Sequence, residues 1–299
     1  MPKKIIVPTV SAVLIACIFA AIFADFSEKP VENSVFPNNV TVFISEKNRV
    51  EKISYEKFVE GCICGIIPAT GNIYEEQTLA AIAVIINTNA LIALKNKSGF
   101  ENFCADFTAS DKLPYVSYTD KAVNHADRKL IQAAVKTANR AYLANNGKPV
   151  EVKMCAISSG KTENLPFMPS KELPEDAFAK GYLTKRAFTE SEILNAFSSE
   201  NFSEKPPENW FLNPVYDEYG GLVSIDFLEK NLSGAEIRSA LKLKSSAISV
   251  EYRDEKFFFT CKGRGDNTGM SLNSANISAQ NGKKFNEILA EFYNLELIS

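Results

Sequence analysis

The chain has 299 residues, a net charge of −3 and a pI near 5.5, which excludes a general nucleic-acid binder, since such proteins carry a basic surface. With 45% apolar and 23% charged residues, the composition is that of a globular protein and not of a disordered one. One tryptophan against 21 phenylalanines rules out a Trp-lined sugar platform.

Lys3 and Lys4 precede residues 5–24, which carry no charge. At about 1.5 Å per residue a helix there spans roughly 30 Å, the hydrocarbon thickness of a bilayer. The expectation is a cytoplasmic tip (1–4), a transmembrane anchor (5–24) and export of the rest, giving a single-pass cell-membrane protein whose bulk is extracytoplasmic. Ala20, Ala21 and Ala24 leave a cleaved signal peptide as the competing reading, although the apolar stretch exceeds a signal core of roughly 7–15 residues. Residues 25–40, with Pro30 and Pro37, read as a linker to a domain over 41–299. Besides Cys17 in the span, the cysteines are Cys62, Cys64, Cys104, Cys155 and Cys261. Five exported thiols form an odd set and cannot all pair. Cys62 and Cys64 lie in an apolar run and read as small buried hydrophobes.

Residues 40–45 and 50–54 alternate like a strand pair. Residues 53–94 then organise the chain: an amphipathic lead-in, an apolar turn ending at Pro68, a polar loop over 69–72, and a long helix opened by Glu75 and Glu76. From Leu79 to Leu94 only Asn87, Thr88 and Asn89 interrupt its apolar surface, so the rest of the protein must enclose it. Residues 96–124 show little periodicity. An amphipathic helix is expected over 127–144, a turn at 145–148, a strand over 149–157, and a loop carrying Ser158, Ser159, Lys161 and Thr162. The pattern weakens over 163–214, with helix-like pieces at 172–180 and 189–198, as in an insertion or lid. A strand at 221–227 leads to a helix at 233–242, where Ser233 and Glu236 have capping-box spacing. A hairpin (248–252 with 256–262), a Gly-rich loop (263–271) bearing Arg264, Asp266 and Asn267, and a final helix (281–293) complete the chain.

These pieces resemble the stage II sporulation protein D family, from about residue 42 to the C-terminus. Phe58-Val59-x-Gly61, Pro68, and Leu79, Ala81, Ala83, Val84 and Thr88 follow its opening pattern. Ala134-Val135-x-Thr137, the Asn-Gly-Lys turn and Ser159-Gly160-Lys161-Thr162-Glu163 match its middle. Ser233-Gly234-x-Glu236-x-Arg238-x-x-Leu241-x-Leu243-x-Ser245 is the most specific match, followed by Gly263-Arg264-Gly265 and Gly269-Met270-Ser271. The resemblance implies an α+β fold, a two-lobed mixed domain around a long buried helix, behind an N-terminal transmembrane helix. It also implies a lytic transglycosylase that cuts peptidoglycan glycan strands with a glutamate as acid/base. Such proteins cooperate with a cell-wall amidase during engulfment, and some carry a zinc site of His and Cys residues.

The chain departs from that pattern at its chemistry. The catalytic glutamate stands two residues before the motif proline, where this chain has Ile66, which can neither give nor take a proton. Ile82 and Asn87 stand where the long helix has a Gln and an Arg. Of the zinc cluster only Cys104 remains, with Ala109 and Ser110 beside it, too few ligands for a tetrahedral metal. No cofactor and no metal is therefore expected. The expectation is a degenerate member that acts by binding glycan strands, an active homologue or an amidase, with Ser158, Ser159, Lys161, Thr162, Arg264, Asp266 and Asn267 as candidate contacts. The alternative is an active enzyme whose acid/base has moved to Glu75 or Glu76.

Overall fold

The computed structural model describes residues 35–44, 47–68, 73–96, 105–110, 112–197, 205–228 and 230–299. The expected tip, anchor and most of the linker, with Cys17, Cys104 and the loop over 69–72, lie outside the described residues. The chain divides into two units, Met1–Pro37 and Asn38–Ser299, and the second holds the elements described below. Its first strand opens at Asn39 and buries Val40, so the domain begins slightly before the boundary expected at residue 41.

β1 (Asn39–Ile44) and β2 (Arg49–Ser54) pair antiparallel as the alternation predicts, and β1 also pairs in parallel with β3 (Phe107–Thr108). The expected lead-in and apolar turn are instead one helix, α1 (Tyr55–Ile66), whose N-cap Ser54 accepts a 3.3 Å bond from the Lys57 amide. Gly65 lowers helix propensity, but the position demands it, because a Cβ there would lie 1.5 Å from the Pro114 carbonyl oxygen. At the other end the Lys121 ammonium donates to the carbonyls of Cys64 and Ile67, groups the last turn of a helix leaves without partners.

α2 (Glu76–Lys95) is the enclosed helix that the sequence predicts, buried continuously from Thr78 to Leu91. Its three interrupting residues are connectors. The Asn87 amide donates to Ala141 O (2.9 Å) and accepts from the Tyr55 hydroxyl (3.1 Å). Thr88 accepts from the Leu143 amide (2.9 Å), and Asn89 bonds the Val152 backbone twice (3.0 and 3.2 Å). Consecutive residues step by about 100° around a helix, so three in a row reach three neighbouring segments. α3 (Tyr118–Lys121) is a single turn. α4 (His125–Ala138) packs along α2 and stops at Ala138, short of the expected residue 144. Asn139 and Arg140 take left-handed backbone, and Tyr142–Asn145 becomes β4, between β14 (Glu296–Ile298) and β5 (Lys148–Pro149). The alanines that suit a helix over 141–144 are buried equally well in a strand, and Asn139 ends the helix.

The strand expected over 149–157 survives only as β5 and β6 (Met154–Cys155). The helix-like piece at 172–180 is a 3-10 turn, Pro174–Phe178, opened by its proline. The weakly patterned stretch is no loose insertion, because it supplies β7 (Leu183–Phe188), α5 (Glu190–Ala196) and β8 (Phe211–Tyr216). β7 joins β12 (Lys256–Lys262) and β11 (Ala247–Arg253), and β8 joins β9 (Leu222–Phe227) and β10 (Lys230–Leu232). Between these sheets lies a second hydrophobic centre with Trp210, Phe227, Phe257 and Phe259, against which α6 (Gly234–Leu241) sets Ile237 and Leu241. The Trp210 ring stacks on Phe257 at 5.3 Å and its indole N–H donates to Lys205 O (3.0 Å). The predicted capping box of Ser233 and Glu236 is present. The expected final helix (281–293) is α8 (Phe285–Phe292), and an unexpected helix, α7 (Leu272–Gln280), precedes it, with Gly282 at φ +90° between them. The domain is thus a mixed α/β unit with small sheets and one mostly buried apolar helix, α2.

Candidate functional site

A groove of about 390 Å³ opens between the last turn of α1 and one side of α2. Its floor is apolar: Ile66 from α1, Ile85 from α2, Leu272 at the start of α7, and Val152 and Met154 from the segment before and in β6. Its charges are Lys112, Glu151, Lys153 and Asp266. Lys112 and Glu151 form a 2.8 Å ion pair, while Lys153 and Asp266 stand 4.0 Å apart, each close to half exposed. Asn89 also lines the groove, but both ends of its amide are bonded to Val152, so it offers a ligand little.

β13 (Met270–Ser271) builds the wall by pairing in parallel with β6, and the Ile157 and Arg264 backbones exchange two bonds (3.1 and 2.7 Å). Gly269, at φ +67°, makes this approach possible, because a Cβ there would lie 1.9 Å from Lys153 O. Behind the wall Asp176 is fully buried, accepting from the Ser158 amide (2.7 Å), the hydroxyls of Ser271 (2.7 Å) and Ser274 (2.9 Å) and the Asn273 amide (2.9 Å). Four donors are what a buried carboxylate requires. They tie the 158 loop, the 3-10 turn and the start of α7 together. Nothing in the weak pattern around residue 176 signals this role.

Of the seven candidate binding residues, only Asp266 lines the groove. Ser158 and Thr162 are buried, and Thr162 accepts from the Lys171 amide (3.0 Å) and the Ser170 hydroxyl (2.7 Å) through its side chain and carbonyl. Asn267 accepts from the Ser159 amide (2.9 Å) and donates to Lys161 O (2.8 Å), while the Ser159 hydroxyl donates to Tyr219 O (2.8 Å). Asn267 thereby joins the Gly-rich loop to the loop over 158–162. Lys161 lies between Glu172 (3.4 Å) and Glu218 (3.6 Å), and Arg264 is exposed. The groove charges Lys112, Glu151 and Lys153 were not among the candidates. The alternation of Glu151, Lys153 and Cys155 through an extended segment is the one sequence signal that points to them.

The two alternative acid/bases lie away from the groove. Glu75 is exposed, with its amide donating to Asn276 (2.7 Å), and Glu76 accepts from the Thr137 hydroxyl (2.9 Å) of α4. On α2, Ile82 shares the side of Ile85 and Asn89 but is fully covered, whereas Asn87 points to a different side. No cluster of three or more His, Cys, Asp or Glu suited to a metal exists among the described residues.

Glu163 lies next to the Gly-rich loop, its amide donating to Asn267 O (2.9 Å). Burial, with Asp217 and Asp266 nearby, raises the Glu163 carboxyl above its usual range, and Lys153 opposes this only in part.

No family model matches the chain. Stage II sporulation protein D of Bacillus subtilis (strain 168) is 24% identical over 281 residues, covering 88% of this chain and 79% of that protein. Stage II sporulation protein D of Bacillus amyloliquefaciens is also 24% identical over 281 residues, covering 86% and 77%. Over most of its length the chain is thus similar to two stage II sporulation protein D proteins.

Proposed function

We propose that this member is a membrane-anchored cell-wall protein of sporulation that binds peptidoglycan without cutting it. The observation that carries the reading is Ile66. The position that the resemblance assigns to the acid/base lies on the groove floor beside Ile85 and Leu272, and it is an alkyl side chain. The groove itself remains, at about 390 Å³, and each carboxylate on its rim has a lysine beside it. Losing a general acid/base costs about 10²–10⁴-fold in rate, whereas binding depends on shape and charge that are still present. A cell-wall amidase or an active homologue is the further partner this reading implies, with the anchor over 5–24 holding the domain at the membrane.

Full-length protein in detergent, mixed with purified sacculi, tests the reading. It should sediment with the sacculi and release no anhydro-muropeptides. Absence of co-sedimentation would overturn the proposal. Released fragments that disappear in Glu75→Gln or Glu76→Gln would establish the alternative of an active lytic transglycosylase with a relocated acid/base.

A further inference from the structure

The sheet β11–β12–β7 has one face in the second hydrophobic centre and the other in solvent, because successive residues of a strand point to opposite sides. Phe188 of β7 joins Phe257 and Phe259 of β12 on the buried side. Leu183 and Lys185, and Lys262 directly across from Leu183, turn outward and are exposed. Just before β7 the chain reverses through residues 179–182. The Tyr182 amide donates to Ala179 O (3.0 Å), and Gly181 takes φ +88°, as a tight turn requires. Phe178 and Leu183 flank this turn, with Lys180 inside it. Phe178 is 91% exposed and Leu183 58%, the two highest values for large hydrophobic side chains among the described residues. One such residue in solvent is ordinary, but here the two most exposed sit on either side of one turn.

The charges beside them are also uncompensated. Lys47, Lys112, Lys161, Lys171 and Lys283 each lie against a carboxylate. Lys180, Lys185 and Lys262 are exposed, and none of the three forms an ion pair among the described residues. The acids of this sheet, Glu251, Asp254 and Glu255, belong to the opposite end, where β11 turns into β12. Lys262 lies about 20 Å along β12 from that turn. Glu175, in the 3-10 turn before Phe178, is partly covered. One end of the sheet thus combines two bare apolar side chains with three free ammonium groups.

A dissolved anionic polymer would engage the lysines and leave the Phe178 ring in water. A bilayer surface uses both sets, since anionic headgroups attract lysines and the interfacial layer accepts a phenyl ring and a leucyl side chain. We propose that this end of the sheet is a face that rests on an anionic lipid surface, with Phe178 and Leu183 in the headgroup layer and Lys180, Lys185 and Lys262 against lipid phosphates. For its tether the inference rests on the membrane-anchored part of the reading above, and it is independent of what the groove binds. Residues 25–37, between that anchor and the domain, reach about 45 Å at most. A tether of this length keeps the face at high local concentration over the bilayer, so three lysines and two apolar side chains suffice.

Full-length protein reconstituted into vesicles tests the face. Phe178→Trp places a reporter at the turn, and the one native tryptophan, Trp210, is buried. With brominated lipid tails as quencher, the reporter emission should shift to the blue and be quenched in phosphatidylcholine vesicles that contain phosphatidylglycerol. In phosphatidylcholine alone it should stay unquenched. Raising the salt from about 0.1 to about 1 M, which shortens the Debye length from about 10 to about 3 Å, should remove the quenching. Replacing Lys180, Lys185 and Lys262 together with Glu should remove it too. The same triple replacement without the reporter should leave Trp210 emission unchanged, which reads an intact fold. No quenching in anionic vesicles, or equal quenching in both lipids that persists in the triple variant, overturns the inference. An emission shift caused by dissolved poly(glycerol phosphate), without quenching by brominated lipid, would assign the face to an anionic polymer and overturn it as well. Carbonate extraction reads the anchor separately. A protein that carbonate removes from the vesicles, but that is quenched before removal, would refute the anchor and leave a peripheral lipid-binding face.

Discussion

Two cavities touch α1 and α2 and differ in character. One, of about 240 Å³, is lined by Tyr55, Glu56 and Glu60 of α1, Asn87 of α2, and Gln132, Lys136 and Arg140 from α4 and the residues after it. The other is the groove with its floor of Ile66, Ile85 and Leu272. In the first, the polar groups serve the fold: Arg140 Nε donates to Glu56 at 3.1 Å, and Asn87 joins the Tyr55 hydroxyl to the Ala141 carbonyl. In the second, the floor is apolar and the charged groups stand at its edges. Helices α1 and α2 thus place polar residues where the backbone needs partners and apolar ones, Ile66 and Ile85, at the groove.

Substitutions at the two cavities should therefore behave oppositely. The largest effect is expected for Asn87→Leu, which leaves the Tyr55 hydroxyl and the Ala141 carbonyl buried without that partner and should cost about 2–3 kcal/mol in urea unfolding. A cost near zero would mean that the amide is not a structural requirement, and the contrast would collapse. Next comes Ile66→Glu. Its site is only partly buried and opens to the groove, so destabilisation should stay near 1 kcal/mol. The variant should still release no glycan fragments, because Ile82 is covered and Asn87 faces another segment, leaving the new carboxylate without polar support. Fragment release by Ile66→Glu would show that the groove retains catalytic competence.

The smallest effect is expected at Glu163. The Glu163 carboxyl titrates above its usual range in the folded protein, chiefly through burial and then through Asp217 and Asp266. Below the ordinary carboxylate range it is protonated whether folded or unfolded, and replacing it changes nothing. As pH rises through that range towards the raised folded value, the folded state alone resists ionisation and stability falls. Glu163→Gln should remove that penalty, giving a small upward shift in Tm at neutral pH that vanishes in acid. A shift that persists in acid would assign the effect to packing instead of charge.

Local signals in the chain announced the elements whose residues decide their own conformation. The enclosed helix, the β1–β2 pair, the β11–β12 hairpin and the Ser233–Glu236 capping box were legible because periodicity, turn chemistry and caps act within a few residues. The helix expected to continue to residue 144 was misread because buried alanines suit strand and helix alike, and only pairing with β14 and β5 chose the strand. β7 and β8 gave little signal, since their strand state depends on partners tens of residues away, β12 and β9.

The candidate site divides in the same way. An isoleucine at residue 66, and the need to bury α2, were determined by the sequence alone. Which loop residues face the groove was decided by tertiary structure. Ser158, Ser159, Thr162 and Asn267 look like surface turn residues in sequence, but Asn267 bridges to the Ser159 amide and Lys161 O, Thr162 bonds Ser170 and Lys171, and Asp176, in a stretch without clear pattern, holds Ser158 and Ser271. Lys112, Lys153 and Asp266, far apart along the chain, share one groove. The physical reason is range: propensity and capping are short-range properties of the chain, while the choice between bonding a neighbouring loop and facing solvent is made only when distant segments meet.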